Sequence, residues 1–275
     1  MLAQNLHAAW TSRTELPPPT SQGEFDIDMA YATEGELLRL RKAEGRVSVG
    51  RKVGFANKAM WRILKLETLV WAHMYDDTVH MSPSEFSLAA CLQPRIEPEI
   101  VVKLAQPLAA GLEPAAVLAA VEWIALGFEI IDCPYPGWQF QPADFVACYG
   151  LHRALLVGSP LMVDASAIPD LIIGLAQCKI RLLKNGELVE EGAGKNSLRS
   201  PALCVAELAG AAIARNQPLR AGELISTGTL TAAQTISAGE TWKAEAIGLG
   251  VAPIDLHLVG QAPSLIGANL RTTDF

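Results

Sequence analysis

The sequence has little charge and no concentration of positive charge. Only 19% of its 275 residues are charged, and 29 acidic residues against 22 Lys and Arg give a net charge of −7. Nucleic-acid-binding domains carry clustered Lys and Arg, which this sequence lacks, so no nucleic-acid partner is expected. Because 50% of the residues are hydrophobic, the chain can bury a sizeable core, which argues against intrinsic disorder.

Cysteine is scarce, and its spacing has no pattern. The odd count and the absence of a C-x-x-C pair predict reduced thiols that pack as small apolar side chains. The residues in question are Cys91, Cys133, Cys148, Cys178 and Cys204. The first residues lack the basic stretch and apolar core of a signal peptide, and no uninterrupted apolar run reaches the roughly 18 residues that a membrane span needs. We therefore expect a soluble cytoplasmic protein without membrane contact.

Common nucleotide-binding and hydrolase motifs are also missing. The sequence has no P-loop, no G-x-G-x-x-G after a predicted strand and no G-x-S-x-G. Nucleotide binding and serine-hydrolase chemistry therefore have no support.

The N-terminal fifth of the chain is predicted to be mainly helical. Residues 2–13 form one short helix, and a second helix, capped by Asp26 or Asp28, runs to about residue 44. Residues 57–83 are rich in Trp, Met and His with weak periodicity, which predicts a long functional loop or lid.

Short apolar strands dominate the rest of the chain. They are predicted at Ile96–Leu104, Ala125–Ile131, Leu155–Val157, Lys179–Leu183, Glu223–Thr227 and Ala244–Ile247. Helices begin at Pro114 and Pro201, and Asn185-Gly186 predicts a type I′ hairpin turn. This pattern favours an α+β domain with a mostly antiparallel, coiled sheet. We divide the chain into an N-terminal helical and lid region, 1–80, and a β-rich core, 81–275.

Three carboxylates stand in two of these strands. Glu97 and Glu99 are two residues apart and project from one face of their strand, and Glu129 lies in an apolar run typical of a buried strand. Buried acids are unfavourable without a partner, and neighbouring acids repel. A shared divalent cation removes both problems, and carboxylate oxygens suit Mg²⁺ or Mn²⁺ better than Zn²⁺. From the residues alone, solvated glutamates or a Lys or Arg partner for Glu129 remain open.

Other candidate residues are weaker taken singly. The sequence around Lys52 is typical of a surface lysine. Near a metal ion, however, Lys52 could act as a general acid or base, with Asp76 or Asp77 as its partner. The hydroxyl-rich turn 226–231 can present N–H and O–H donors to a carboxylate, although a plain strand-ending turn fits equally well. Three histidines are predicted to be surface or packing residues: His7, His152 and His257.

In chain order, these motifs resemble the fumarylacetoacetate hydrolase superfamily, and within it the 2-keto-4-pentenoate hydratase and 4-oxalocrotonate decarboxylase branch. The resemblance spans roughly residues 25 to 250. Five stretches carry it: Gly50–Phe55, Tyr75–Val79, Arg95–Ile100, Phe128–Asp132 and Gly222–Thr229. It implies an α+β fold, with a mixed, rolled β-sandwich core and a smaller, mainly helical N-terminal region.

The resemblance also implies a metal-dependent enzyme. Its ion, Mg²⁺ or Mn²⁺, would be held by Glu97, Glu99 and Glu129 and chelated by the C1 carboxylate and C2 oxygen of the substrate. Lys52 with Asp76 would handle protons, and Thr229 would help to hold the substrate carboxylate. The implied activity is a hydro-lyase that hydrates a 2-hydroxy-2,4-dienoate to a 4-hydroxy-2-oxo acid in aromatic catabolism, carried out by a cytoplasmic homo-oligomer.

The chain departs from the family pattern on the substrate side. The family's Asp-Ser-Arg after the third acid is here Asp132-Cys133-Pro134, and residues 144–152 replace an Asn-Ala-Ser-Ser stretch that contributes a substrate-side Ser. The metal site is therefore expected to be intact, while the reaction stays open. Alternatives are decarboxylation of a 2-oxo diacid, hydrolysis of an acylpyruvate, which needs a His-Glu pair not evident around His73 and His80, and a non-catalytic accessory role.

Overall fold

A computed structural model describes residues 1–260. We number its elements in chain order. The helices within these residues are α1 (Leu2–Ser12), α2 (Ile27–Ala43), α3 (Lys58–Leu64), α4 (Pro114–Ala119), α5 (Pro142–Ala147), α6 (Ile168–Gln177) and α7 (Pro201–Ala214). The strands are β1 (Ser48–Gly54), β2 (Val70–Tyr75), β3 (Val79–Met81), β4 (Glu85–Ser87), β5 (Pro94–Leu104), β6 (Val121–Asp132), β7 (His152–Val157), β8 (Leu161–Met162), β9 (Lys179–Lys184), β10 (Glu187–Ala193), β11 (Leu224–Ser226), β12 (Gln234–Thr235), β13 (Thr241–Ile247) and β14 (Ile254–Val259).

Local signals in the sequence correctly place several of these elements. The Asp26 side chain caps α2 by accepting the N–H groups of Asp28 and Met29 at 3.0 and 2.9 Å. Asn185 and Gly186 both have positive φ, 51° and 84°, as a type I′ turn between β9 and β10 requires. The helices α4 and α7 begin with proline, as predicted.

The segment predicted as a long loop or lid is largely regular structure. It contains α3, β2 and β3, and all six residues of β2 are buried. A strand buried on both faces shows no alternation of polar and apolar residues, so periodicity could not reveal it.

Two sheets form the core. A nine-stranded sheet has the order β2-β1-β11-β5-β6-β7-β3, with β12 on β5 and β8 on β6, and a five-stranded sheet has the order β10-β9-β13-β14-β4. Most pairs are antiparallel, but β1–β11, β3–β7 and β4–β14 are parallel. The predicted α+β fold with a mixed, rolled β core is confirmed. Since β1 and β2 join the same sheet as β5 and β6, the domain boundary at residue 80 stays a prediction.

One apolar cluster links the two sheets and the helices packed on them, and it includes Phe128, Trp242 and Leu208. Residues 194–214 are, within the described part of the chain, the one helical stretch long and apolar enough for a membrane span by length and composition. More than half of that stretch is buried, and Cys204 and Val205 belong to the same cluster. Packing in the core therefore accounts for the apolar composition of α7.

The register of the strands places the candidate residues on one face. In the β5–β6 pair, Glu97 lies opposite Glu129, and Glu99 lies opposite Gly127. A Cβ at Gly127 would come within 2.7 Å of a Val101 methyl group, so glycine permits the close approach of these strands. The acids are therefore held by the hydrogen-bonded ladder of two long central strands rather than by loops.

Candidate metal centre and active site

Three carboxylates converge at the centre of the large sheet. One oxygen from each of Glu97, Glu99 and Glu129 lies within 4.8 Å of the others. Glu99 and Glu129 are fully buried, and Glu97 borders a cavity of about 250 Å³. The structure thus brings together the three acids that the sequence singled out.

The turn after β11 fixes one oxygen of Glu99. Ser226 Oγ and the Gly228 N–H both donate to Oε2, at 2.5 and 2.8 Å, whereas the buried Oε1 accepts no hydrogen bond from residues 1–260. Gly228 has φ of +87°, and a Cβ there would lie 2.9 Å from that of Ala56. Only glycine can therefore bring this N–H to the carboxylate without displacing its neighbours.

Glu129 is held by two side chains. His152 Nδ1 lies 2.8 Å from Oε1, and Lys52 Nζ lies 3.0 Å from Oε2. The lysine contact has the distance of an ion pair but not the angle of a hydrogen bond, so Oε2 accepts no hydrogen bond. Lys52 is buried and is not the surface residue that its sequence context suggested.

A left-handed turn positions Lys52. Tyr149, Gly150 and Leu151 have φ of 54°, 61° and 55°, and the Gly150 carbonyl accepts a hydrogen bond from Lys52 Nζ at 2.9 Å. The left-handed conformation costs about 1–2 kcal/mol at each non-glycine residue. A Cβ at Gly150 would lie 2.7 Å from Lys52 Cδ, so this position requires glycine. Backbone strain of this kind is typical of functional sites.

His152 is a site residue that the sequence analysis missed. Burial and the nearby charge of Lys52 hold the pKa of His152 well below its ordinary value, so the ring is neutral. Nδ1–H then donates to Glu129, and Nε2 lies 3.0 Å from the Thr78 hydroxyl oxygen. The one feature of the sequence that pointed to His152 is its position at the end of the stretch 144–152, which departs from the family pattern.

The structure does not bring Asp76 to Lys52. Lys52 pairs with Ala72 across β1 and β2, so the turn that follows β2 lies near the opposite end of β1. Asp76 is exposed there and accepts the Val47 N–H at 3.1 Å, while Asp77 pairs with two arginines. Neither acid lines the cavity. The sequence did not reveal the register of β1 against β2, and this register separates Lys52 from Asp76.

The charge balance of the carboxylates is unfavourable without a cation. Burial raises the pKa values of Glu97 and Glu99 to about 8, and also raises that of Glu129, with Lys52 opposing the shift at each residue. Within residues 1–260, Lys52 is the one Lys or Arg that forms an ion pair with them. Three ionised carboxylates beside one ammonium group would leave two buried negative charges without a partner.

The donor set fits a hard divalent cation. All three ligands are carboxylates, and two of their buried oxygens, Glu99 Oε1 and Glu129 Oε2, have no hydrogen-bond donor among the described residues. Mg²⁺ and Mn²⁺ prefer such oxygen ligands, whereas Zn²⁺ prefers nitrogen and sulfur. A divalent ion would offset the two excess charges.

Thr229 lines the cavity, as do Gly228 and Glu97. Its side chain is half-buried, and its hydroxyl donates to the Thr231 carbonyl at 2.8 Å. The hydroxyl-rich turn therefore has two parts, since Ser226 and Gly228 bind Glu99 while Thr229 faces the cavity.

Comparison with known proteins assigns the chain to a family. The family described as Fumarylacetoacetate (FAA) hydrolase C-terminal matches residues 60–254. The chain therefore belongs to the fumarylacetoacetate hydrolase family, as the resemblance predicted.

Relatives with assigned activities cover nearly the whole chain. It is 31% identical over 255 residues to the 2-hydroxyhexa-2,4-dienoate hydratase of Comamonas testosteroni, covering 91% of this chain and 94% of that protein. It is 32% identical over 212 residues to a 2-hydroxypent-2,4-dienoate hydratase of Pseudomonas putida, covering 76% and 92%. Among solved structures, the 4-oxalocrotonate decarboxylase of Pseudomonas putida G7, complexed with magnesium and adipate, matches with a TM-score of 0.85 at 26% identity, covering 94% and 96%.

Replacing Glu129 by Gln should remove metal binding. The substitution keeps the size of the side chain but removes one of three anionic ligands. Loss of a residue that only hydrogen-bonds to a ligand lowers metal affinity by about 10–100-fold, so loss of a ligand itself should lower Mn²⁺ affinity by more than about a hundredfold. Isothermal titration calorimetry with Mn²⁺ measures this. Glu122→Gln, on the same strand but half-exposed and paired with Lys103, is the matched control and should bind normally. An affinity of Glu129→Gln within a few-fold of the wild type would refute the site.

The hydrogen bond from His152 should support metal binding indirectly. His152→Leu removes the donor that orients Glu129, and Mn²⁺ affinity should fall about 10–100-fold. His152→Asn can still donate through its amide and should restore most of the affinity. If the two variants bind Mn²⁺ equally, the donor has no role in positioning Glu129.

Proposed function

We propose that the protein is a divalent-metal-dependent hydro-lyase that adds water to a 2-hydroxy-2,4-dienoate and forms a 4-hydroxy-2-oxo acid in aromatic catabolism. The observation that carries this proposal is the buried cluster of three carboxylates with Lys52, beside a cavity that Lys52 and Glu97 line. The dienoate hydratases at 31% and 32% identity support the reaction class.

Glu97, Glu99 and Glu129 would hold the ion, which we assign as Mg²⁺ or Mn²⁺. The solved relative complexed with magnesium supports a divalent ion of this kind. A cation bound there would polarise the C2 oxygen of the substrate and stabilise negative charge on it. Ser226 and Gly228 keep Glu99 in place for this role by binding its other oxygen.

Lys52 would carry the proton transfers. Hydration requires that the C2 hydroxyl lose its proton while C5 gains one, which converts the dienol into a 2-oxo-3-enoate. Water then adds with its oxygen to C4 and its remaining proton to C3. Lys52 borders the cavity, and its Nζ is fixed by Gly150 and Glu129, so a proton can be delivered at a defined place.

Thr229 would help to hold the C1 carboxylate of the substrate. It lines the same cavity as Lys52 and Glu97. Asp76 has no role in this proposal, because it lies outside the cavity on the surface.

Decarboxylation of a 2-oxo diacid is the second candidate reaction. The close structural match to a 4-oxalocrotonate decarboxylase favours it, because the same charge stabilisation at the C2 oxygen would serve the loss of CO₂.

Hydrolysis of an acylpyruvate has less support. The described residues do contain a buried His-Glu pair, in which His73 Nδ1 contacts Glu34 Oε1. However, His73 follows Ala72, the strand partner of Lys52, and successive residues of a strand face opposite sides. The pair therefore lies on the far side of the sheet from the cavity and cannot activate a water there.

We further propose that the protein is a cytoplasmic homo-oligomer. The five cysteines are free and buried, which suits a reducing compartment. Exposed apolar side chains lie on one edge strand of each sheet, Met81 on β3 and Leu188 and Val189 on β10. Exposed apolar edges of this kind are covered in many proteins by a second copy of the chain.

Turnover of short dienoates should separate the candidate reactions. With Mn²⁺, the dienoate absorbance should disappear and the product should contain one added water; chelation should stop the reaction. Lys52→Met should lower kcat by about 10²–10⁴-fold with Mn²⁺ binding retained, and Asp76→Asn should react normally. Release of CO₂ from a 2-oxo diacid would instead identify a decarboxylase, and two acid fragments from an acylpyruvate a hydrolase. Metal binding without any turnover would indicate the accessory role.

A further inference from the structure

One short segment of the chain holds the amino group of Lys52. The Gly150 carbonyl accepts a hydrogen bond from Nζ at 2.9 Å, and Nζ lies 4.6 Å from the centre of the Phe145 ring, in a cation–π contact. We call residues 144–152 the lysine-holding segment. Its conformation decides where the amino group of Lys52 lies.

The end of this segment has a backbone conformation that its own residues disfavour. Tyr149 and Leu151, on either side of Gly150, have φ of 54° and 55°, in the left-handed region that residues with a side chain rarely adopt. Such a conformation persists only where the surrounding structure imposes it. The N-terminal helix α1, none of whose residues lines the cavity, contacts the segment at this point.

The first contact fixes the side chain of Tyr149. Its hydroxyl oxygen lies 2.7 Å from His7 Nδ1, and His7 Nε2 lies 2.7 Å from a carboxylate oxygen of Glu44, the residue after α2. Tyr149 is buried, so its hydroxyl group depends on this partner. The imidazole of His7 thus connects the left-handed turn to α1 and to the end of α2.

The second contact fixes the backbone that follows the turn. Trp10 Nε1–H donates to the His152 carbonyl at 3.2 Å, and the Trp10 carbonyl accepts a hydrogen bond from Arg153 at 3.2 Å. The Arg153 guanidinium also lies 4.4 Å from the centre of the Trp10 ring, and that ring lies 5.2 Å from the Tyr149 ring. Trp10 therefore holds the two residues that come directly after the turn.

The inner face of α1 makes the helix a firm support. Ala3, Leu6 and Ala9 are buried at a spacing of three residues, which places them on one side of the helix. Leu6 belongs to the main apolar cluster, while Ala3 packs in a smaller cluster that includes Tyr149.

The chain that follows α1 holds the other end of the segment. Asp144 is fully buried, and its carboxylate accepts the N–H and the hydroxyl of Thr20 at 2.9 and 2.6 Å and the Gln141 N–H at 2.8 Å. Asp144 directly precedes Phe145, whose ring contacts Lys52. N-terminal residues therefore hold the lysine-holding segment at both of its ends.

From these contacts we infer that α1 is a positioning element of the active site, in which His7 and Trp10 fix the amino group of Lys52 through the lysine-holding segment. Neither residue lines the cavity, so both act on the proton transfers rather than on substrate binding. The inference rests on the proposed function, since it assumes that Lys52 carries these transfers.

Matched variants of α1 test the inference. His7→Leu leaves the Tyr149 hydroxyl without its partner, and kcat for a dienoate at saturating Mn²⁺ should fall by about 10–100-fold, because a misplacement of about 1 Å costs about a hundredfold. His7→Asn, whose amide can accept or donate, should retain most of the activity. Thr11→Val removes a hydrogen bond within α1 on its exposed side and should react normally. KM should change little in each variant, because Glu97 and Thr229 lie outside the segment.

A double-mutant cycle with Lys52→Met separates positioning from a purely structural role. If α1 acts through Lys52, adding His7→Leu or Trp10→Phe to Lys52→Met should lower kcat by no more than about twofold. Losses that multiply in the double variants would overturn the inference. A lower melting temperature of His7→Leu with an unchanged kcat would also overturn it, since the contact would then only stabilise the fold.

The Nζ resonance of Lys52 gives a readout that needs no turnover. In ¹⁵N-lysine-labelled protein this resonance is the one missing from Lys52→Met, and it should shift in His7→Leu but not in Thr11→Val. A shift without hydration of any dienoate by the wild type would refute the hydratase and retain the positioning role. Turnover by the wild type with an unshifted resonance in His7→Leu would refute the positioning role alone, and neither turnover nor a shift would refute both.

Discussion

A buried excess of negative charge is the constraint on which the site depends. Glu97, Glu99 and Glu129 face one another within a sheet, and Lys52 is the one lysine that pairs with them in the described part of the chain. Carboxylates in such a place are unstable as anions unless a cation joins them, so burial raises their pKa values. The hydrogen bonds around them engage one oxygen of Glu99 and one of Glu129 and leave the others without donors. The arrangement is therefore poorly suited to an empty protein and well suited to one that holds a divalent ion.

The fold holds these acids and their lysine with regular strands and with backbone groups that only glycine allows to come so close. The β5–β6 ladder fixes the spacing of the acids, and Gly228 brings a backbone N–H to Glu99. The left-handed turn at Gly150 aims a carbonyl at Lys52. Left-handed backbone geometry at Tyr149, Gly150 and Leu151 is found where the lysine is held, which is expected if the position of its amino group matters for proton transfer.

Sequence patterns predicted the parts of the site that depend on local structure. The E-x-E spacing gave two carboxylates on one face of a strand, the apolar run around Glu129 gave its burial, and Asp26 and Asn185-Gly186 gave a helix start and a hairpin turn. Features set by pairing between distant strands were not predicted. The strand β2 was taken for part of a loop because it is buried on both faces, and the same pairing of β1 with β2 moved Asp76 away from Lys52. His152 was missed because its partners, Glu129 and Thr78, are brought to it only by the sheet.

The carboxylates and Lys52 border a cavity whose remaining lining is mostly apolar and aromatic. The proposed chemistry depends on the carboxylates sharing one ion. The most direct measurement is a crystal structure of the protein with Mn²⁺ and oxalate, a mimic of enolpyruvate, using anomalous scattering to locate the metal. We expect one Mn²⁺ bound by Glu97, Glu99 and Glu129, with oxalate beside it at the Lys52 end of the cavity. Manganese density elsewhere, with the three carboxylates bound only to their protein partners, would contradict the account.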